Sequence, residues 1–149
     1  MNVRLLCGAA AAGLALTACG SSTSAPTTLT KADWVTQANA ICKDLADRSK
    51  AIEPKSETDL ATAVPKMAQL AGEDVGKLAA LKAPSEIQTD VTALLAEYTK
   101  ATQAFQTAAT KLTAKDTAGA IAALRDAATA GQAGDPIATH LGATECAKG

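Results

Sequence analysis

The chain has 149 residues, a formal net charge of −1 and only 2% aromatic residues. This length allows one ordinary domain, and the absence of a basic patch with interleaved aromatic residues excludes nucleic acid as a partner. The sequence is rich in alanine and has no long alternation of β-branched residues, so its composition favours helices over strands.

The pattern of residues at the N-terminus predicts an export signal. Arg4 precedes an apolar run over residues 5–16, the pattern of a secretory signal peptide, and this run is too short to span a membrane. It ends in LTAC, residues 16–19, which resembles the bacterial lipobox. The resemblance implies a lipid on the Cys19 sulfur and cleavage that removes residues 1–18. Acyl chains on Cys19 would anchor the protein to the membrane. The alternative is a plain secretory signal with an incidental cysteine.

The next segment, residues 19–29, is predicted to be the lipid anchor followed by a flexible tether. From Gly20 to Thr28 it contains glycine, serine, threonine, alanine and proline, with no charge and no large apolar side chain. Such a segment cannot bury enough apolar surface to order itself. Residues 30–149 remain as a single helical domain.

Four helices explain the spacing of apolar side chains in this domain, which recur every three or four positions. Thr30 is expected to cap the first helix, with Asp33 completing a capping-box arrangement. Gly142 is expected to end the fourth helix. The predicted helices run from Lys31 to about Ile52, from Ser56 or Thr58 to about Leu81, from Glu86 to about Ala114, and from near Asp116 to Gly142.

Several residues are expected to interrupt these helices. Pro65 lacks a backbone N–H, so it is expected to kink the second helix or split off its first turn. Ser85 is expected to cap the third helix. Gly131, Gly134 and Pro136 predict a kink or a break in the fourth helix.

The predicted helical domain contains two cysteines, Cys42 and Cys146. Outside the cytoplasm such a pair predicts a disulfide, and no CxxC or Cys/His spacing supports a metal or redox pair. In a four-helix up-down-up-down bundle, the end of the fourth helix lies beside the start of the first. Cys42 lies ~16 Å along the first helix, a distance that the extended C-terminal residues can span. We therefore predict an all-α bundle with this disulfide tying its C-terminal tail to the first helix.

Two segments carry a resemblance to a known group. DWVTQANAICKDLADR, residues 33–48, and ATHLGATECA, residues 138–147, resemble the two ends of small secreted lipoproteins of actinobacteria. Those proteins have a lipobox, a low-complexity tether, a cysteine in the first helix and a terminal Leu-Gly-x-x-x-Cys. The resemblance implies a helical cell-envelope lipoprotein. It supplies no catalytic residues.

The sequence offers few residues for cofactor chemistry. His140 is the single histidine and is expected at the surface near a helix C-terminus. Met67 would lie ~20 Å from His140 along the bundle, so the two cannot ligate one haem iron. No Glu-x-x-His motif for a di-iron site occurs. We therefore expect neither a metal nor another cofactor.

Other polar and aromatic residues have structural interpretations. Glu73 and Asp74 are expected on a solvated helix face. Tyr98 and Phe105, seven residues apart on one stripe, are expected in the core. Trp34 is expected to seal one end of the bundle.

These observations support two functional hypotheses for a non-enzymatic protein on the extracytoplasmic face of the membrane. The first is a helical interaction module whose partner is another envelope protein or the cell wall; an exposed apolar patch on the surface would support it. The alternative is a carrier of a small ligand or lipid, using a gap between helices near residues 131–136. A carrier requires an apolar cavity of at least ~300 Å³.

Overall fold

The computed structural model describes residues 29–148, and every regular element in that range is a helix. The predicted signal peptide, the lipidation of Cys19 and most of the tether lie outside the described residues. Within them, four α-helices form the predicted up-down-up-down bundle. The helices are α1 (Lys31–Lys50), α2 (Leu60–Ala80), α3 (Gln88–Thr113) and α4 (Thr117–Leu141), with a 3₁₀ turn (Glu57–Asp59) leading into α2.

Side-chain caps define where two of the helices begin. Thr30 Oγ1 accepts a hydrogen bond from the backbone N–H of Asp33 at 3.1 Å and donates one to its carboxylate at 2.6 Å. Asp116 caps α4 by accepting from the N–H of Gly119 at 2.8 Å. Both caps satisfy N–H groups that the first turn leaves without a helical partner. The predicted start of α1 is confirmed.

The end of α4 turns the chain back toward α1. Gly142 has φ +89°, a left-handed conformation that favours glycine. Its N–H bonds to the carbonyl of Thr139, and the N–H of Ala143 bonds to that of Ala138. These two bonds form a Schellman motif, which ends the helix as predicted. The C-terminal tail, residues 142–148, then folds against α1.

Neither interior proline breaks its helix. Pro65 lies within α2 and Pro136 within α4, and both helices continue through them. Both prolines are exposed, as are Ala61 and Gln132 four residues earlier. The carbonyl groups that the prolines leave without a donor can therefore bond to water. The expectations of a break in the fourth helix and of a split-off turn at Pro65 were wrong.

Ser85 does not cap α3. The segment before the helix instead forms a turn, in which the N–H of Ile87 bonds to the carbonyl of Pro84 at 3.1 Å. Ile87 is the N-terminal boundary residue of α3, and no side chain caps it. Ile87 is buried in the core, so its packing fixes the start of α3 two residues later than expected.

The larger of two packed clusters lies at one end of the bundle, here called the closed end, where α1 begins and α4 ends. Trp34 is fully buried there, as predicted for a residue that seals the bundle end. The same cluster contains residues from all four helices and the tail: Ala38, Leu78, Val91, Leu94, Leu141, Ala143 and Cys146. Burial of these side chains holds the closed end together. A smaller cluster of Val64, Ala108 and Ala123 joins α2, α3 and α4 toward the other end.

The predicted disulfide is confirmed. Cys42 and Cys146 are bonded across a sequence separation of 104 residues. Asn39 on α1 supports the same junction, because its side-chain oxygen accepts from the N–H of Glu145 at 2.9 Å and its amide donates to the carbonyl of Gly142. The tail therefore joins the end of α4 to the middle of α1.

The close packing of α3 on α4 depends on a glycine. A Cβ atom added at Gly134 would lie 2.7 Å from Cε1 of Tyr98 and 3.4 Å from Cδ1 of Leu94, both on α3. Other short side chains of α4, including Ala130 and Ala138, are also buried. Contact between α3 and α4 is the most extensive in the bundle, followed by that between α2 and α3.

We expect Cys42→Ala/Cys146→Ala to lower the free energy of unfolding by up to ~4.7 kcal/mol, because the unfolded chain regains the entropy of a loop of roughly 100 residues. Urea unfolding of the oxidised wild type and the double variant measures this loss. Reduced wild type is the matched control and should unfold at the midpoint of the variant. Equal midpoints for oxidised wild type and double variant would contradict the prediction.

We expect Gly134→Ala to lower the free energy of unfolding by about 1–2 kcal/mol, because its methyl group meets the Tyr98 ring. Gly76→Ala is the matched control, since a Cβ atom there has nothing within 4 Å. Gly76 also lies inside a helix, so alanine should stabilise the protein by about 0.5–1 kcal/mol. A shift of both urea midpoints in the same direction would contradict the close contact at Gly134.

Candidate functional site

A cavity of about 620 Å³ lies between the four helices. Its lining positions span residues 42–50 on α1, with Glu53 just after that helix, and residues 124–135 on α4. Eleven residues of helix are ~16 Å long, so the cavity runs along the bundle axis. Its volume is within the range of about 300–1,000 Å³ that small-molecule sites occupy.

The cavity lies where α1 and α4 do not pack closely against each other. The backbone of α1 approaches that of α2, whereas along the described helices it makes no comparably extensive approach to α4. The disulfide and the tail fill the space between α1 and α4 at the closed end, and Cys42 and Cys146 both line the cavity there. The cavity lies beside an unbroken α4, with Gly131 and Asp135 in its lining.

The body of the cavity is apolar. Its walls are formed by side chains from all four helices, including Leu45, Met67, Ala71, Phe105, Leu124 and Ala128. The part next to the tail is polar and includes Gln132, Asp135, Glu145 and Lys148. Ser49, Lys50 and Glu53 add polar groups toward the opposite end. An apolar interior with a small number of polar groups is typical of sites for small organic ligands.

Asp74 is the most deeply buried charged residue of the lining. Its relative exposure is 2%, although the Glu73–Asp74 pair was expected on a solvated face. That expectation holds for the exposed Glu73 and is wrong for Asp74. The sequence contains a signal for this position, because Asp74 follows Ala71 by three residues and precedes Leu78 by four. It therefore belongs to the inward stripe of α2.

Two basic residues approach Asp74 from one side. Lys77 Nζ donates to Oδ1 of Asp74 at 2.6 Å, and Arg48 Nη1 lies 3.9 Å from the same oxygen. The hydrogen bond with Asp74 raises the pKa of Lys77. The second oxygen, Oδ2, is buried and has no hydrogen-bond partner among residues 29–148. A buried acceptor without a donor is energetically costly.

Tyr98 forms the boundary between the cavity and the tail. Its hydroxyl donates to the carbonyl of Cys146 at 2.8 Å. Burial, and secondarily the negative charge of Asp135, raise the pKa of Tyr98 to about 12. Tyr98 and Phe105 were expected in the packed core, but both are half-buried and line the cavity. The helical periodicity correctly predicted that both side chains lie inside the bundle, but it did not predict the cavity beside them.

The other residues that the sequence singled out, Met67, His140 and Trp34, do not lie together at one site. Met67 lines the cavity, whereas His140 is exposed on the closed end with Nε2 3.6 Å from Asp90. Trp34 is in the core and outside the cavity lining. Within the described part of the chain, no three histidine, cysteine, aspartate or glutamate residues are grouped so that they could hold a metal ion.

The outer surface is mostly polar. Over residues 29–148, Ile121 is the single large hydrophobic residue classed as exposed, at 40%. None of the helices in that range combines the length and the hydropathy needed to cross a membrane.

The sequence was compared with protein-family models, curated proteins and solved structures, and none of them matches this chain.

We expect the phenolate absorbance of Tyr98, the only tyrosine in the chain, to titrate near pH 12 in the folded protein. Unfolded protein should titrate near pH 10. Because folding raises this pKa, the folded state retains the proton longer. The contribution of Tyr98 to the free energy of unfolding is therefore complete below about pH 10 and is lost between about pH 10 and 12.

Asp135→Asn provides the control for this titration. Removing the negative charge should lower the pKa of Tyr98 while the burial of its ring remains. An ordinary pKa near 10 in the folded wild type would contradict the buried position of the hydroxyl.

Proposed function

We propose that this protein binds a small apolar molecule in the cavity and does not chemically transform it. The observation that carries the proposal is the cavity of about 620 Å³ with its apolar body. This volume exceeds the ~300 Å³ that a carrier needs. We also propose that acyl chains on Cys19 hold this domain at the extracytoplasmic face of the membrane, as the resemblance to small actinobacterial lipoproteins implies.

The polar side chains of the lining support binding over catalysis. The hydroxyl of Ser49, which could serve as a nucleophile, donates to the carbonyl of Ala46 in its own helix at 3.0 Å. His140, the single histidine, lies outside the lining, so no imidazole is placed to activate Ser49. The cavity lining therefore provides groups that can form hydrogen bonds with a ligand, and Ser49 has no histidine base beside it.

A ligand carrier fits these features better than a module that docks on an envelope protein or the cell wall. A docking surface is expected to expose a contiguous apolar patch. On the described surface, Ile121 is the one exposed large apolar side chain, while Leu45, Met67, Phe105 and Leu124 line the cavity.

Gly131→Phe tests the proposal by filling the cavity. Gly131 lines the cavity, and a Cβ atom added there has nothing within 4 Å, so a large side chain can enter without straining the backbone. We expect the oxidised wild-type protein to bind N-phenyl-1-naphthylamine saturably, measured as an increase in its fluorescence. Gly131→Phe should weaken this binding roughly tenfold or more, since the probe loses apolar contact area.

Gly76→Phe is the matched control. Gly76 lies inside α2, has the same open space at its Cβ position and is outside the cavity lining. It should bind the probe like the wild type, and circular dichroism should show that both variants are folded. Equal binding by Gly131→Phe and the wild type, or no binding by the wild type, would refute the proposal.

A further inference from the structure

We propose that the ligand is an amphipathic amine, with an elongated apolar body and a positively charged group that donates a hydrogen bond to Asp74. This inference rests on the proposed function and specifies the chemistry of its ligand. It is carried by three observations: a carboxylate oxygen without a donor, the charge balance of the lining, and the shape of the cavity.

Asp74 lines the cavity, and its buried carboxylate is incompletely bonded. A carboxylate accepts hydrogen bonds at both oxygens, and Lys77 occupies only Oδ1. In the described part of the chain, two buried side-chain atoms lack a hydrogen-bond partner, Nε1 of Trp34 and Oδ2 of Asp74. Of these two residues, only Asp74 lines the cavity. A donor group on a bound molecule would satisfy this oxygen.

The surroundings of Asp74 favour a cationic donor. Asp44, Glu73 and Asp74 share the two cations Arg48 and Lys77, so this cluster of five residues carries a formal charge of −1. One further positive charge would neutralise it. Hydrogen bonds between charged groups are roughly twice as strong as those between neutral groups.

The rest of the lining is also acidic. It contains four carboxylates, at Glu53, Asp74, Asp135 and Glu145, and two lysines. Both lysines already have acidic partners: Lys148 pairs with Glu145, and Lys50 pairs with Asp47 outside the lining. An anionic ligand would therefore meet a net negative lining, whereas a cationic ligand would be attracted to it.

The shape of the cavity selects an elongated body. Apolar side chains of α2 line it from Met67 to Leu78, about three turns or ~16 Å along the axis. Asp74 lies between Ala71 and Leu78 on the same helix, level with Arg48 on α1. An alkyl chain extending from Asp74 past Met67 and Phe105 would bury its length against apolar groups.

Three probes with the same alkyl chain and different head groups test this inference: dodecylamine, dodecanol and dodecanoate. Each is used below its micelle concentration to displace N-phenyl-1-naphthylamine from the oxidised wild-type protein. We expect the amine to bind roughly tenfold more tightly than the carboxylate, with the alcohol between them. This order tests the inference without any variant. Binding of dodecanoate as tight as that of dodecylamine would overturn it.

Asp74→Asn tests whether Asp74 causes the preference. We expect it to remove most of the difference between the amine and the carboxylate and to leave the affinity of the alcohol nearly unchanged. Asp44→Asn is the matched control, because Asp44 contacts the same two cations but is outside the lining, and it should retain the preference. Equal loss of preference in both variants would show a general charge effect and overturn the role of Asp74.

The two proposals fail in different ways. If all three probes bind equally to the wild type and none binds to Gly131→Phe, the cavity binds apolar molecules and only the amine preference is wrong. If no probe binds and N-phenyl-1-naphthylamine gives no signal, the proposed function itself is wrong.

Discussion

The disulfide between Cys42 and Cys146 is the constraint on which the rest of the structure depends. It joins the tail after α4 to the middle of α1, and the hydrogen bonds of Asn39 and Tyr98 to the tail surround the same junction. In a bundle with α1 and α4 as neighbours, direct packing of the two helices would normally close the last side. Here the tail connects the two helices at the closed end. The disulfide and the tail therefore hold α1 in the bundle, although α1 does not pack along α4.

The two sides of α4 therefore have different packing. On one side, Gly134 and a row of alanines let α3 approach so closely that an added methyl group would overlap Tyr98. On the other side, α4 faces the cavity. Short side chains have opposite consequences in these two places, because they permit close contact where a helix approaches and leave open space where none does.

The burial of Asp74 at the cavity affects both the stability of the protein and the chemistry of its proposed ligand. Arg48 and Lys77 offset part of the cost of burying Asp74, and they do so from one side only. A protein selected for maximum stability would be expected to place an apolar residue here, where it would extend the core. The retained carboxylate is instead consistent with a ligand that supplies the missing donor, and the apolar walls would bind the remainder of that ligand.

Local sequence features determined the four helices, the start of α1 and the end of α4. Thr30 and Gly142 act through hydrogen bonds to neighbours in the chain, and the pair of cysteines allowed a single bond, so the all-α class and the disulfide were predictable. Only the tertiary structure decided that Asp74 is buried, that Tyr98 and Phe105 line a cavity, and that α4 continues through Pro136. Periodicity specifies which face of a helix points inward, but the distance between two inward faces depends on every side chain and on the tail packed between them. The cavity is a consequence of that distance.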